Sequence, residues 1–181
     1  MTIRSVLVSL VVIAGAAAPV AVLAQSADET IASAETAAPK AVSGEATIYG
    51  FDGAGKMVTL REGKNGWWCM GDNPTTPGAD PMCGDANSMD WAMAWMGKTD
   101  PPKGKVGFMY MLAGGSDSSN TDPYAMEPAE GNHWLTTGPH VMVVNAMDMM
   151  AGYPDSADPD PTKPYVMWPG TPYAHLMIPV E

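Results

Sequence analysis

Ordinary core-forming side chains are scarce in this chain. Past residue 24 there are only 4 Leu, 3 Ile, 8 Val and 2 Phe, which is 17 of 157 residues or about 11%. Combined with a strong excess of acid, that share belongs to the composition of disordered chains. Basic residues are few too: 9 Lys and Arg stand against 20 Asp and Glu, a net charge of -11. Nucleic acid and anionic membrane surfaces are polyanions and would repel such a chain, which leaves a small molecule or another protein as partner. No apolar run beyond the first 24 residues approaches the length of a membrane span, so no membrane insertion is expected once that leader is removed. No Gly-x-Ser-x-Gly elbow, His-Glu-x-x-His helix or phosphate-binding glycine loop is present, so the main motifs of hydrolytic and nucleotide chemistry are missing.

What replaces the aliphatic residues is sulfur and indole. Past residue 24 the chain holds 15 Met, 6 Trp and 6 Tyr, and counting them raises the apolar pool to 44 of 157. A folded core is therefore possible only if methionine and tryptophan build it. The length of 181 residues suits one domain.

Residues 1–24 read as an export signal. Arg4 gives a positive start, Ser5 to Val22 is apolar, and Val22-Leu23-Ala24 places small residues where a signal peptidase cuts. The mature protein is accordingly expected in the periplasm or secreted. In that oxidising space the two cysteines, Cys69 and Cys83, are expected as a disulfide. Residues 25–43 are rich in Ala, Ser and Glu and read as a flexible linker, with a single globular domain over 44–181.

The domain reads as α+β, with an antiparallel β-sheet, one main helix and many loops. Ala46 to Tyr49, Lys56 to Arg61 and Trp67 to Met70 are short β-type runs separated by turn formers, which suggests a meander. Ser88 to Met96 reads as the helix, capped by Asp85 or Ser88 and ended by Gly97. Met89, Met93 and Met96 on one face and the Trp91–Trp95 pair beside them make a wide apolar stripe, with the methionines expected to pack on the sheet. Lys105 to Leu112, His140 to Val144 and His175 to Val180 are further strands. Asn145 to Ala151 reads as a short helix capped by Asn145. Pro123 to Pro128 and Pro164 to Pro169 form a weak internal echo, each followed by a His-x-Met strand.

Those His-x-Met pairs are the sharpest chemical signal. In a strand, residues two apart share a face, so His140 sits beside Met142 and His175 beside Met177. Imidazole with thioether is the soft ligand set that suits Cu(I). Other features are weaker. Trp67, Trp68, Tyr124, His133, Trp134, Tyr165 and Trp168 could line an apolar or sugar-binding cleft. Asp155, Asp158 and Asp160, or Asp117 and Asp122, are conceivable calcium ligands, but neither loop matches the twelve-residue calcium pattern. Gly114-Gly115-Ser116-Asp117 carries a serine in a flexible setting.

Asp80-Pro81-Met82-Cys83, the run from Lys105 to Gly115, Gly131-Asn132-His133-Trp134, Gly138-Pro139-His140-Val141-Met142 and Pro164-Tyr165-Val166-Met167-Trp168 together resemble a group of exported bacterial proteins to which no activity is assigned. The resemblance covers about two thirds of the chain and implies export and a single domain, with no cofactor or catalytic residue to carry over. Three readings follow. The first is a non-catalytic binding or structural protein of the bacterial envelope. The second is a periplasmic copper (soft-metal) binding protein using His140, Met142, His175 and Met177. The third is a hydrolase, for which twenty carboxylates offer no specific pair.

Overall fold

The computed structural model describes residues 25–115 and 117–180. The expected export signal, residues 1–24, and the loop serine Ser116 lie outside the described residues. The chain order is α1 (Ala27–Glu35), α2 (Lys40–Ser43), β1 (Thr47–Phe51), β2 (Met57–Arg61), β3 (Trp68–Met70), β4 (Met82–Gly84), α3 (Ala86–Met96), β5 (Gly107–Met111), β6 (Ser118–Ser119), β7 (Trp134–Leu135), β8 (His140–Val144), a 3-10 turn at Met147–Met150, β9 (Tyr165–Met167) and β10 (His175–Pro179). Eight strands form one sheet in the order β2-β1-β3-β4-β5-β8-β10-β9, and β6 pairs with β7 in a two-stranded ribbon. Few helices accompany this large sheet, so the architecture is α+β with β dominant.

The sheet is mixed rather than antiparallel, which corrects the expected meander. β1 and β2 form a hairpin, but β3 then pairs with the other edge of β1 in parallel. The connection stays short because β2 ends beside the start of β1, where β3 also begins. Gly63 makes that crossing possible: a Cβ there would lie 2.1 Å from the Thr47 nitrogen, a contact no side chain can make. The crossing is pinned by Thr47 N–H donating to the Trp67 carbonyl at 2.9 Å and by Asn65 Nδ2 donating to the Val42 carbonyl at 2.7 Å.

Residues 25–43, expected as a flexible linker, are two helices seated on the sheet. Ser26 and Glu29 form a reciprocal capping box that starts α1. Ala34 and Ala37 have no exposed surface and pack with Ala38 on Ile48, Cys69 and Cys83. Arg61 ties the segment down from the sheet, reaching the Glu35 carboxylate and the Ser43 carbonyl. Small side chains let the helix approach closely, which is why a stretch without aromatics can still be ordered. The Cys69–Cys83 disulfide is formed on this face, between directly opposed positions of β3 and β4.

The opposite face carries the methionines, and α3 covers it. Asp85 caps α3 by accepting from Ser88 N–H at 2.8 Å, and Gly97 ends it. The start of the helix rests on two glycines: a Cβ on Gly107 would lie 2.4 Å from the Ser88 nitrogen, and one on Gly84 would lie 2.1 Å from the Ser88 hydroxyl. Of the expected Met89, Met93 and Met96 stripe only Met89 packs against the core. Met93 and Met96 are 47% and 43% exposed, while Trp91, Ala92 and Ala94 are buried. Two indoles bury more area than two thioether chains, so the Trp91–Trp95 side turns inward.

Two smaller expectations are also revised. The turn after β8 is capped by no side chain, because Asn145 instead donates to the Pro102 and Lys105 carbonyls. The internal echo has no structural counterpart, since Tyr165 to Met167 is a buried strand whereas Met126 sits in a loop, 72% exposed. Among the described residues, no helix is long and apolar enough to cross a membrane.

Candidate functional site: a methionine and tryptophan cleft

Register across the sheet assembles a row that no single motif displays. Met109 pairs with Met142, Met142 with Met177, and Met177 with Tyr165. Directly opposed residues share a face, so three thioethers lie side by side at strand spacings of about 4.8 Å. Gly84 and then Trp68 continue the row on the other side of Met109. All three methionines are buried.

The two histidines flank this row on the same face. His140 lies opposite Met111 and Pro179, one step beyond the row in one direction. His175 lies opposite Val144 and Met167, one step beyond it in the other. His140 and Met142 are therefore together, as are His175 and Met177, and the two methionines face each other directly. The two histidines are four residues out of register, about 13 Å along the strands. The two rings still influence each other, because charge at His140 further disfavours charge at His175.

Both rings are held in the same way. His140 Nδ1 lies 2.7 Å from the Gly138 carbonyl, and His175 Nδ1 lies 2.9 Å from the Tyr173 carbonyl. A carbonyl only accepts, so Nδ1 carries the proton in each ring, and Nε2 is left with its lone pair. His175 Nε2 is buried and has no hydrogen-bond partner among the described residues. Burial disfavours the imidazolium, pushing His175 down to about 4 and lowering His140 as well. Both imidazoles are neutral at pH 7.

Aromatic rings wall the His175 end. Trp91 and Trp168 present T-shaped contacts to its ring, with centroids 5.3 Å and 5.0 Å away. Trp168 also stacks on Trp91 and Trp95. Its backbone has φ +55°, uncommon for so bulky a residue and a conformation that costs of order 1–3 kcal/mol. The surroundings hold it there: its Nε1 donates to the Ser119 carbonyl at 2.8 Å and its backbone N–H to the Asn120 carbonyl at 3.1 Å. Trp91 Nε1 is another buried polar atom without a partner among the described residues.

Between the methionine face, α3 and the Trp168 loop lies a cleft of about 390 Å³. Both histidines line it, as do Met142, Met177 and Met167, and the exposed thioethers of Met96 and Met126 stand at its rim. A smaller recess of about 210 Å³ shares His140 and Met177 with it and holds Tyr165, whose buried hydroxyl has no partner among the described residues.

Of the aromatics singled out from sequence, Trp68, Trp134 and Trp168 line the cleft. Trp67 lies away from it, beside Tyr110 on the disulfide side. The helix residues Trp91 and Trp95, read from sequence as packing alone, line the cleft as well. Met167 was also missed as a neighbour of His175, because cross-strand register is invisible in a linear chain. Two of the acidic side chains have protein partners: Asp158 accepts from His133 Nδ1 of another loop at 2.8 Å, and Asp160 pairs with Lys163 at 2.7 Å. Among the described residues there is no group of three or more His, Cys, Asp or Glu side chains placed to hold a metal ion. Comparison with protein-family models, curated proteins and solved structures finds no match to this chain.

Proposed function

We propose that this is a non-catalytic binding protein acting outside the cytoplasm, whose ligand occupies the cleft between the methionine face and α3. The observation that carries the reading is the His175 ring. A fully buried acceptor without a partner among the described residues costs about 1–3 kcal/mol, and here it lines a mainly apolar cleft of methionine and indole whose polar lining includes Asp80, Asp117, Thr137 and His140. An apolar, concave site with a few fixed polar atoms is the usual form of a small-ligand site. The volume is that of a small molecule or of a small complex.

Five of the six tryptophans line the cleft, so occupancy reads out in intrinsic fluorescence. The neutral dye Nile red, chosen because the acidic chain would repel an anionic probe, is expected to bind the native protein at one site and quench tryptophan emission. Ala92→Phe fills the cleft from α3 and should abolish binding while leaving the unfolding transition in place. Non-saturable dye uptake, or uptake unchanged by Ala92→Phe, would overturn the reading.

A further inference from the structure

We infer that the ligand class of this cleft is a soft monovalent metal ion, Cu(I), held at the His175 end by His175 Nε2 and the thioethers of Met167, Met177 and Met142. The inference rests on the cleft being a binding site and names what it takes. It differs from the ligand set expected from sequence by replacing His140 with Met167, because the register decides the neighbours.

Met167 is the residue directly opposite His175 across β9 and β10. Such pairs place their Cβ atoms about 5 Å apart. Met177 follows two residues along β10 on the same face, and Met142 is diagonal across β8 and β10, about 7–8 Å away. Methionine has three rotatable bonds, so thioethers at these spacings can converge on one point above His175. His140, by contrast, stands on the far side of the Met142–Met177 pair.

The chemistry of the donors selects the ion. Neutral thioether and imidazole carry no charge, suit Cu(I), and are poor ligands for hard cations that demand oxygen. The ring is prepared as metal-ligating histidines usually are, with Nδ1–H fixed by a backbone carbonyl and Nε2 left to bind. The rim supplies an access path of the same chemistry, since Met126 and Met96 are 72% and 43% exposed at the cleft's edge while Met167 and Met177 are 4% and 2% exposed within it. A site meant for hydrocarbon alone has no use for exposed thioethers leading to a buried imidazole.

The test is anaerobic titration of the folded protein with Cu(I) against the chromogenic chelator bicinchoninate. Ascorbate serves as reductant because it leaves the Cys69–Cys83 bridge closed, so that no thiol competes. One equivalent is expected to be withdrawn from the chelator. Met167→Leu and Met177→Leu conserve volume and fold, and each should weaken binding about tenfold, while His175→Phe should weaken it a hundredfold or more. Met93→Leu, an exposed thioether outside the cleft, should leave affinity within twofold. X-ray absorption of the loaded protein should show a sulfur-dominated shell with one nitrogen, a readout that a merely structural role for these residues would not produce. Failure to withdraw Cu(I), equal losses in Met93→Leu, or a shell of nitrogen and oxygen alone would overturn the inference. Loss on His140→Gln but not on His175→Phe would do so too. If Nile red binds with one-site behaviour and Cu(I) does not, the metal assignment falls and the binding site stands.

Discussion

At the residue scale, His175 couples the site to stability. In the folded chain its ring is pushed down to about 4 by burial, whereas an unfolded histidine titrates near 6.5. Between those values the unfolded chain holds a proton that the native chain refuses. Stability therefore falls as pH drops from about 7 to about 4 and gains no further penalty from this group below that. The contribution is roughly 3 kcal/mol over the window, and His140, also lowered by burial, acts in the same direction. Urea unfolding at pH 7, 5.5 and 4.5 should give a steeper loss for wild type than for His175→Leu; parallel curves would contradict this account. Gly107 makes a second residue-scale case. A Cβ there would press on the Ser88 backbone, so Gly107→Ala should destabilise by about 1–3 kcal/mol, the cost of overpacking, as read by chemical denaturation. The same contact explains why the glycine before Phe108 is no ordinary strand residue.

At the scale of elements, α1 shows how a correct observation can lead to the wrong structure. The stretch 25–43 is indeed poor in large apolar residues, but small side chains let a helix lie close on a sheet, and Ala34 in α1 and Ala37 just past it are wholly buried. The signal was present in Ser26-x-x-Glu29, the spacing of a capping box. Ser26→Ala should cost about 1 kcal/mol, measured by thermal or urea unfolding. Deleting residues 25–43 should do far more, because it uncovers Ile48, Cys69 and Cys83; loss of a cooperative unfolding transition is the expected result. α3 teaches the complementary lesson. Its limits and cap follow from Asp85 and Gly97, but its orientation does not follow from periodicity, since methionine and tryptophan pairs both recur at helical spacing. Packing chose the tryptophans, and Trp168 in the facing loop supplies the reason.

For the whole molecule, the disulfide and the methionine face compensate for the missing aliphatics. Cys69 and Cys83 are 14 residues apart and close a loop that carries three prolines and two glycines of its own. In the chain-entropy view, bridging a loop of that size adds about 3 kcal/mol. The double variant Cys69→Ala, Cys83→Ala should lose about that amount in urea unfolding, and an unchanged midpoint would show that the bridge adds little to the fold. The core cluster beneath α3 contains five methionines and three tryptophans but only one aliphatic of the usual kind, Val144. Such a core fills irregular space well because the thioether chain adapts. The same atoms line the cleft, so the composition that replaces aliphatic packing also supplies soft donors.

The sequence by itself determined that the core must be sulfur and indole, that Cys69 and Cys83 pair, and that His140, Met142, His175 and Met177 share faces in two strands. These are local matters of composition, period and parity, and they survive without knowing the fold. Only the tertiary structure decided that the two strands are neighbours, that Met109 and Met167 join them, that Trp91 and Trp95 close the cleft, and that the alanine segment is part of the domain. Each of these depends on register or on which of two similar faces turns inward. Register and facing are set by contacts between residues far apart in the chain, and no local pattern encodes them.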